Sequence, residues 1–157
     1  MKIAFGADPG GFGLREGVLN HLKEKGYEVM DLGTQDMDNA VPYMVVGRNV
    51  AKAVTSGEAD FGVVMCGTGM GISIATNKNK GARCALVESY YTARESRIIN
   101  DANIIALGGT TTSLRMACEM IDVFLETKFG EGLPDFRVER IRNGSKNLAA
   151  FEDEQFK

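Results

Sequence analysis

The sequence predicts an α/β fold, a doubly wound Rossmann-like three-layer sandwich with about five parallel strands. Three observations carry that prediction. Short apolar runs alternate five times with segments of helical spacing, the pattern of repeated strand–helix–strand units. The runs are continuous rather than alternating with polar residues, so both faces of the sheet are covered. Their ends pass into Gly- and Asp-rich turns, where such sheets bind ligands.

Each element follows from its own residues. KIAFGA (Lys2 to Ala7) is the first strand, closed by the turn signal Asp8-Pro9-Gly10-Gly11. Leu14, Val18, Leu19 and Leu22 recur at helical spacing, and Gly26 ends that helix. YEVMDLG (Tyr27 to Gly33) is the second strand. Pro42 precedes a helix over roughly Met44 to Thr55. FGVVMC and ARCALV are the third and fourth strands, with a short helix over Gly71 to Lys78 between them. Tyr91 to Asn100 is a helix charged on one side, and ANIIALGG is the fifth strand. Leu114, Ala117, Cys118, Ile121, Phe124 and Leu125 make the apolar stripe of a further helix. After GEGLP, the charged stretch DFRVERIRNGSKNLAAFEDEQFK has few apolar anchors. It reads as a helical extension of one domain (1–130 plus 131–157). It either reaches a partner chain or folds back and ends in a frayed tail.

Composition excludes several classes. At 157 residues and 44% hydrophobic, the chain can bury one real core. A net charge of −3 offers no field for nucleic acid or an anionic membrane. No apolar run approaches membrane length, and MKIAFGADPGG turns polar too soon for a signal peptide. Three widely spaced cysteines give neither a disulfide framework nor a zinc site, and point to a reduced, cytoplasmic compartment. No metal or other cofactor is expected.

The chemistry is expected beyond the carboxyl ends of the strands. Asp8 arrives there from the first strand, Cys66 and Gly67-Thr68-Gly69-Met70-Gly71 from the third, and Gly108-Gly109-Thr110-Thr111-Thr112 from the fifth. A glycine loop opening a helix leaves backbone N–H groups free for an anion, either a phosphate or charge developing on a substrate oxygen. A thiol beside that loop has its thiolate favoured and can act as a base. The plainer readings are that Asp8 caps the first helix, that Cys84 and Cys118 are small core residues, that His21 is a wet surface residue, and that the methionines fill the core. The loop also resembles a dinucleotide fingerprint, with Glu88 at the expected offset. However, its third glycine comes one residue early, and it follows the third strand instead of the first.

IAFGAD, KGYEVMDLGT, SGEADFGVVMCGTGMGISIATNK, YTARESRIINDANIIALGG and FRVERI together resemble the ribose-5-phosphate isomerase B/LacA–LacB sugar-phosphate isomerases, in register over about residues 1–142. The resemblance implies metal-independent aldose–ketose isomerisation through an enediolate. It implies Cys66 as the base and Thr68 as the group that orients substrate. The N–H groups of Gly67, Gly69, Met70 and Gly71 would hold the enediolate oxygen. Asp8 would bind sugar hydroxyls, Asn100 the reacting oxygens, and Arg137 and Arg140 the phosphate across a dimer interface. The expected assembly is a homodimer or tetramer.

The departures from the family pattern are Pro9 and Ile99 in place of histidines, Thr110 in place of an arginine, and Leu133-Pro134 in place of Arg-His. His21 is the sole histidine. Besides the family default of ribose 5-phosphate to ribulose 5-phosphate, three alternatives follow. One is an isomerase of a tetrulose phosphate that needs no ring opening. Another is a LacB-like half of a hetero-oligomer whose sister chain supplies histidine. The third is a non-catalytic sugar-phosphate binder.

Overall fold

The computed structural model describes residues 1–156. Its elements alternate from β1 to α5 and end in a further helix: β1 (Lys2–Ala7), α1 (Phe12–Glu24), β2 (Glu28–Asp31), α2 (Tyr43–Thr55), β3 (Phe61–Cys66), α3 (Met70–Thr76), β4 (Cys84–Leu86), α4 (Tyr90–Asn100), β5 (Ile104–Gly108), α5 (Leu114–Glu126) and α6 (Asp135–Gln155). A 3-10 turn at Met37–Asn39, not read from the sequence, precedes α2. The strands form one parallel sheet in the order β2-β1-β3-β5-β4. This is the predicted three-layer α/β sandwich. The chain leaves β1 toward one edge and β3 toward the other, so the crevice between their carboxyl ends is the topological switch point.

Strand residues divide by parity between two cores. Ile3, Phe5, Val63, Met65, Ile105 and Leu107 face α1, α4 and α5. Ala4, Val64, Cys66, Ile104 and Ala106 face α2 and α3. A parallel strand buried on both faces needs apolar residues at every position, which is why the runs are continuous. The strongest anchor is α5, whose Phe124 is fully buried and meets Phe61 edge to face at 5.8 Å. Burying such a ring contributes about 1.5–3 kcal/mol. Ser89 closes a capping box on α4, and the Ser113 side chain caps α5.

Several expectations need correction. His21 is not a solvated surface residue: its Nε2 lies 2.7 Å from Asp122 Oδ1, tying α1 to α5, and Lys25 reaches the other oxygen of Asp122 at 2.9 Å. The methionines are not mostly core: Met1, Met37, Met44, Met70 and Met116 are exposed, five of the eight. Cys84 is partly exposed as a residue but packs against the core on the α2/α3 side, Cys118 is only partly buried, and Leu114 is exposed over Gly17 of α1. The C-terminal segment, for which a partner-reaching and a folded-back helix both stood open, is a helix running to Gln155 that touches its own domain through Gly81 N–H donating to Glu152 (2.7 Å) and Lys80–Asp153 (2.7 Å). No residue of α6 is buried, and Phe136, Leu148 and Phe151 on it are exposed. Among the described residues, no helix is long and apolar enough to cross a membrane.

Candidate active site

Three loops interlock at the carboxyl ends of β1, β3 and β5. Asp8 extends the β1 ladder by donating its N–H to Met65 O (2.9 Å). Its Oδ1 accepts from Gly10 N (2.7 Å) and Gly11 N (3.1 Å), shaping the turn before α1. Asp8 Oδ1 thus holds the turn, while Oδ2 has no hydrogen-bond partner among the described residues. A Cβ on Gly10 would fall 2.4 Å from Gly67 N, and one on Gly109 would fall 2.6 Å from Gly10 O. The β5 loop is bonded back as well: Gly109 N donates to Cys66 O (2.7 Å), while the Thr110 N–H and hydroxyl both donate to Gly67 O (2.9 and 2.6 Å). Thr110 therefore braces the β3 loop.

Cys66 is the last residue of β3, 6% exposed, with its thiol on the α2/α3 side. Gly69 N donates to its Sγ at 3.2 Å. Gly69 reaches that position at φ +77, where a Cβ would meet Leu86 Cδ1 at 2.5 Å and Leu107 C at 3.0 Å. Only glycine fits there. Met70 N donates to Thr68 Oγ1 at 3.4 Å. Two of the N–H groups expected to be open are thus engaged inside the loop. Those of Gly67, Thr68 and Gly71 have no acceptor among the described residues. Space beside Gly67 is empty to 4 Å, so the loop opens there.

Tyr43 stands beside the loop and is not singled out by the sequence analysis. It is the first residue of α2, and a Cβ on Gly71 would lie 3.4 Å from its ring, so the aromatic walls the loop. The signal was Pro42, which marks the residue after it as the helix start.

Asn100, Arg137 and Arg140 are not brought to Cys66. Parallel strands force α4 to run back, so Asn100 sits at the amino end of β5 while Cys66 pairs with Gly108 at its carboxyl end. A five-residue strand separates them, roughly 15 Å of rise. Asn100 is exposed beside a cavity of about 540 Å³ that Arg83, Asp101, Leu148 and Phe151 also line. Arg137 and Arg140 are exposed on α6, whose first turns begin near Ile98 through Gly130 N donating to Ile98 O (3.0 Å). The expected constellation thus splits into two halves at opposite ends of one protomer.

The chain matches the Ribose/Galactose Isomerase family over residues 3–141. It is 40% identical to a 4-deoxy-4-sulfo-D-erythrose isomerase of Clostridium sp. (strain MSTE9), covering 98% of this chain and 96% of that one. It is 43% identical to the galactose-6-phosphate isomerase subunit LacB of Clostridium acetobutylicum, covering 82% and 74%. The solved ribose-5-phosphate isomerase B of Clostridium thermocellum superposes with a TM-score of 0.89 at 42% identity, covering 99% of both chains. The parallel sheet with a thiol at its switch point is therefore that of an aldose–ketose isomerase, and this chain belongs to the Ribose/Galactose Isomerase family.

Proposed function

We propose that Cys66 is the base that carries a proton between the two reacting carbons of a small sugar phosphate. The observation that carries this reading is the buried Cys66 Sγ with Gly69 N–H aimed at it, beside the free N–H groups of Gly67, Thr68 and Gly71. The thiolate takes the proton from the carbon next to the carbonyl. The C–H electron pair forms the enediolate double bond, and the carbonyl π pair moves onto oxygen. Free N–H groups hold that oxygen. The adjacent hydroxyl gives up its proton to it, the freed O–H pair forms the new carbonyl, and the enediolate double bond takes the proton back from Cys66 at the former carbonyl carbon. The Thr68 hydroxyl orients the reacting oxygens, and Asp8 Oδ2 accepts from a sugar hydroxyl. A second copy of the chain supplies Asn100 with Arg137 and Arg140 as the anion clamp, because one protomer holds those groups at the wrong end for its own Cys66. The substrate pair is ribose 5-phosphate and ribulose 5-phosphate, supported by the solved relative.

A second reading has specific support. Ile99 brings only hydrocarbon next to Asn100, and His21 is bound to Asp122. Such a site favours a substrate with no ring to open. In a four-carbon sugar bearing phosphate or sulfonate at C4, no C4 hydroxyl remains to close a furanose. The relative named for 4-deoxy-4-sulfo-D-erythrose has that chemistry in its substrate. The test is to incubate the pure chain in heavy water with erythrulose 4-phosphate, ribulose 5-phosphate and tagatose 6-phosphate, and to follow deuterium beside the carbonyl. Exchange that depends on Cys66 is expected, and the fastest ketose identifies the carbon count. Exchange that persists in Cys66→Ala would sink the mechanism. Exchange appearing only after a histidine-bearing homologue is mixed in would make the assembly heteromeric.

A further inference from the structure

Asp101 is the only residue other than glycine with a positive φ among the described residues (φ 48, ψ 41). It ends α4 in the left-handed conformation that glycine usually supplies there. Its carboxylate is held from two sides. Arg97 NH1 donates to Oδ1 at 2.8 Å, and Arg83 NH2 donates to Oδ2 at 3.2 Å. Arg83 Nε also donates to the Asp101 carbonyl at 2.8 Å. Arg97 is itself fixed: it is 7% exposed, its guanidinium lies 4.7 Å from the Phe61 ring centroid and 5.6 Å from that of Phe124, and NH1 also donates to Ala102 O at 2.6 Å. Arg83 is tied to the start of β5 through its N–H to Asn103 Oδ1 at 2.8 Å. One carboxylate thus joins the beginnings of β4 and β5 to the last turn of α4. Asn100 is the exposed residue immediately before it. A glycine would make the same backbone turn without two arginines, so the turn alone does not account for an aspartate.

We propose that Asp101, clamped between Arg97 and Arg83, is a positioning residue that aims Asn100 at the reacting oxygens in the active site of a second copy. This rests on the reading that Asn100 serves that site. Misplacing a reacting group by about 1 Å can cost about 10²-fold in rate, so a rigid mount has catalytic value.

The test reads kcat and KM separately, by deuterium exchange into ribulose 5-phosphate and erythrulose 4-phosphate. Asp101→Gly keeps the turn and removes the clamp. The expected result is a fall in kcat of at least about 10-fold with KM within about 3-fold and the oligomer mass unchanged. Asp101→Asn, which keeps one hydrogen-bonding oxygen, recovers a large part of the loss. The double variant Asn100→Ala/Asp101→Gly loses no more than Asn100→Ala alone, because the two act through one group. Wild-type kcat in Asp101→Gly, or losses that add in the double variant, would overturn the proposal. If Asp101→Gly fails to fold, Arg83→Gln removes one arm alone; a kcat drop is expected there, and an unchanged kcat overturns the proposal equally. Full activity in Asn100→Ala would instead refute the reading beneath it. An inactive Asn100→Ala beside a fully active Asp101→Gly would sink only the clamp.

Discussion

A thiol at a strand end can be core filler or a base, and its hydrogen-bond donors separate the two. Cys84, at the start of β4, has its thiol pushed up to about 12 by burial. It stays protonated at neutral pH and is inert. Against a free cysteine titrating near about 8.5, its native alkylation rate at pH 8.5 should be about a thousandth of that in the unfolded chain. Mass spectrometry after iodoacetamide treatment checks this, and rapid native labelling of Cys84 would show that its burial is breached. The sign also sets a stability trend. The folded chain keeps a proton that the unfolded chain releases above its ordinary cysteine pKa of 9.0, so this group favours unfolding as pH rises from there toward about 12. Cys66 differs in its surroundings, because the Gly69 N–H donates to its sulfur at 3.2 Å beside open N–H groups of the loop. Cys66→Ala should lower deuterium exchange by about 10²–10⁴-fold while the melting temperature moves little. Comparable exchange in the variant would move the base elsewhere.

At the scale of elements, the site is a contact between loops, and glycines decide how close they come. Gly10→Ala would drive a methyl into the backbone of Gly67, which cannot step aside. It should lower both the melting temperature and kcat. Gly67→Ala has open space, so it should fold normally and raise KM by standing where substrate sits. Thermal melts paired with kinetics distinguish them, and equal melting temperatures for the two variants would contradict the interlocked loops. Much of this half was legible in the sequence. Continuous apolar runs place strand ends, and a parallel sheet sends every strand end to one rim, so Asp8, Cys66 and the glycine loop could be grouped before any coordinates. Side-chain partners were less legible. His21 reads as a wet helix residue because its partner, Asp122, is a hundred and one positions away. Exposed Met44 and Met70 read as core because hydrophobicity alone does not say whether a helix face meets its own sheet. Tyr43 is marked in the sequence only as the residue after Pro42, at the start of a helix, because its closeness to Gly71 comes from two distant segments meeting.

At the scale of the molecule, the resemblance set Asn100 beside the reacting oxygens and Arg137 and Arg140 across a dimer interface, and chain topology puts all three at the end of the protomer away from its own Cys66. Sequence motifs do not record which copy of a chain a residue serves. If two copies exchange these groups, a dimer has two sites, each built from the Cys66 end of one chain and the Asn100 end of the other. Cys66→Ala and Asn100→Ala should then each lose most of their activity alone, with a residual rate that can still be measured. Unfolded together in equal amounts and refolded, half the dimers are mixed. In each mixed dimer one site pairs an intact Cys66 with an intact Asn100, while the other site lacks both. The refolded mixture should therefore regain about one quarter of wild-type exchange. A site made within one chain predicts no recovery, since every chain carries a lesion. Recovery near a quarter would also explain why α6 buries no residue in its own protomer yet carries both arginines and an exposed Phe136. Truncation before Asp135 should then leave a folded, inactive chain, and a truncated chain with full exchange would return the anion clamp to the glycine loop and the Thr110–Thr112 rim.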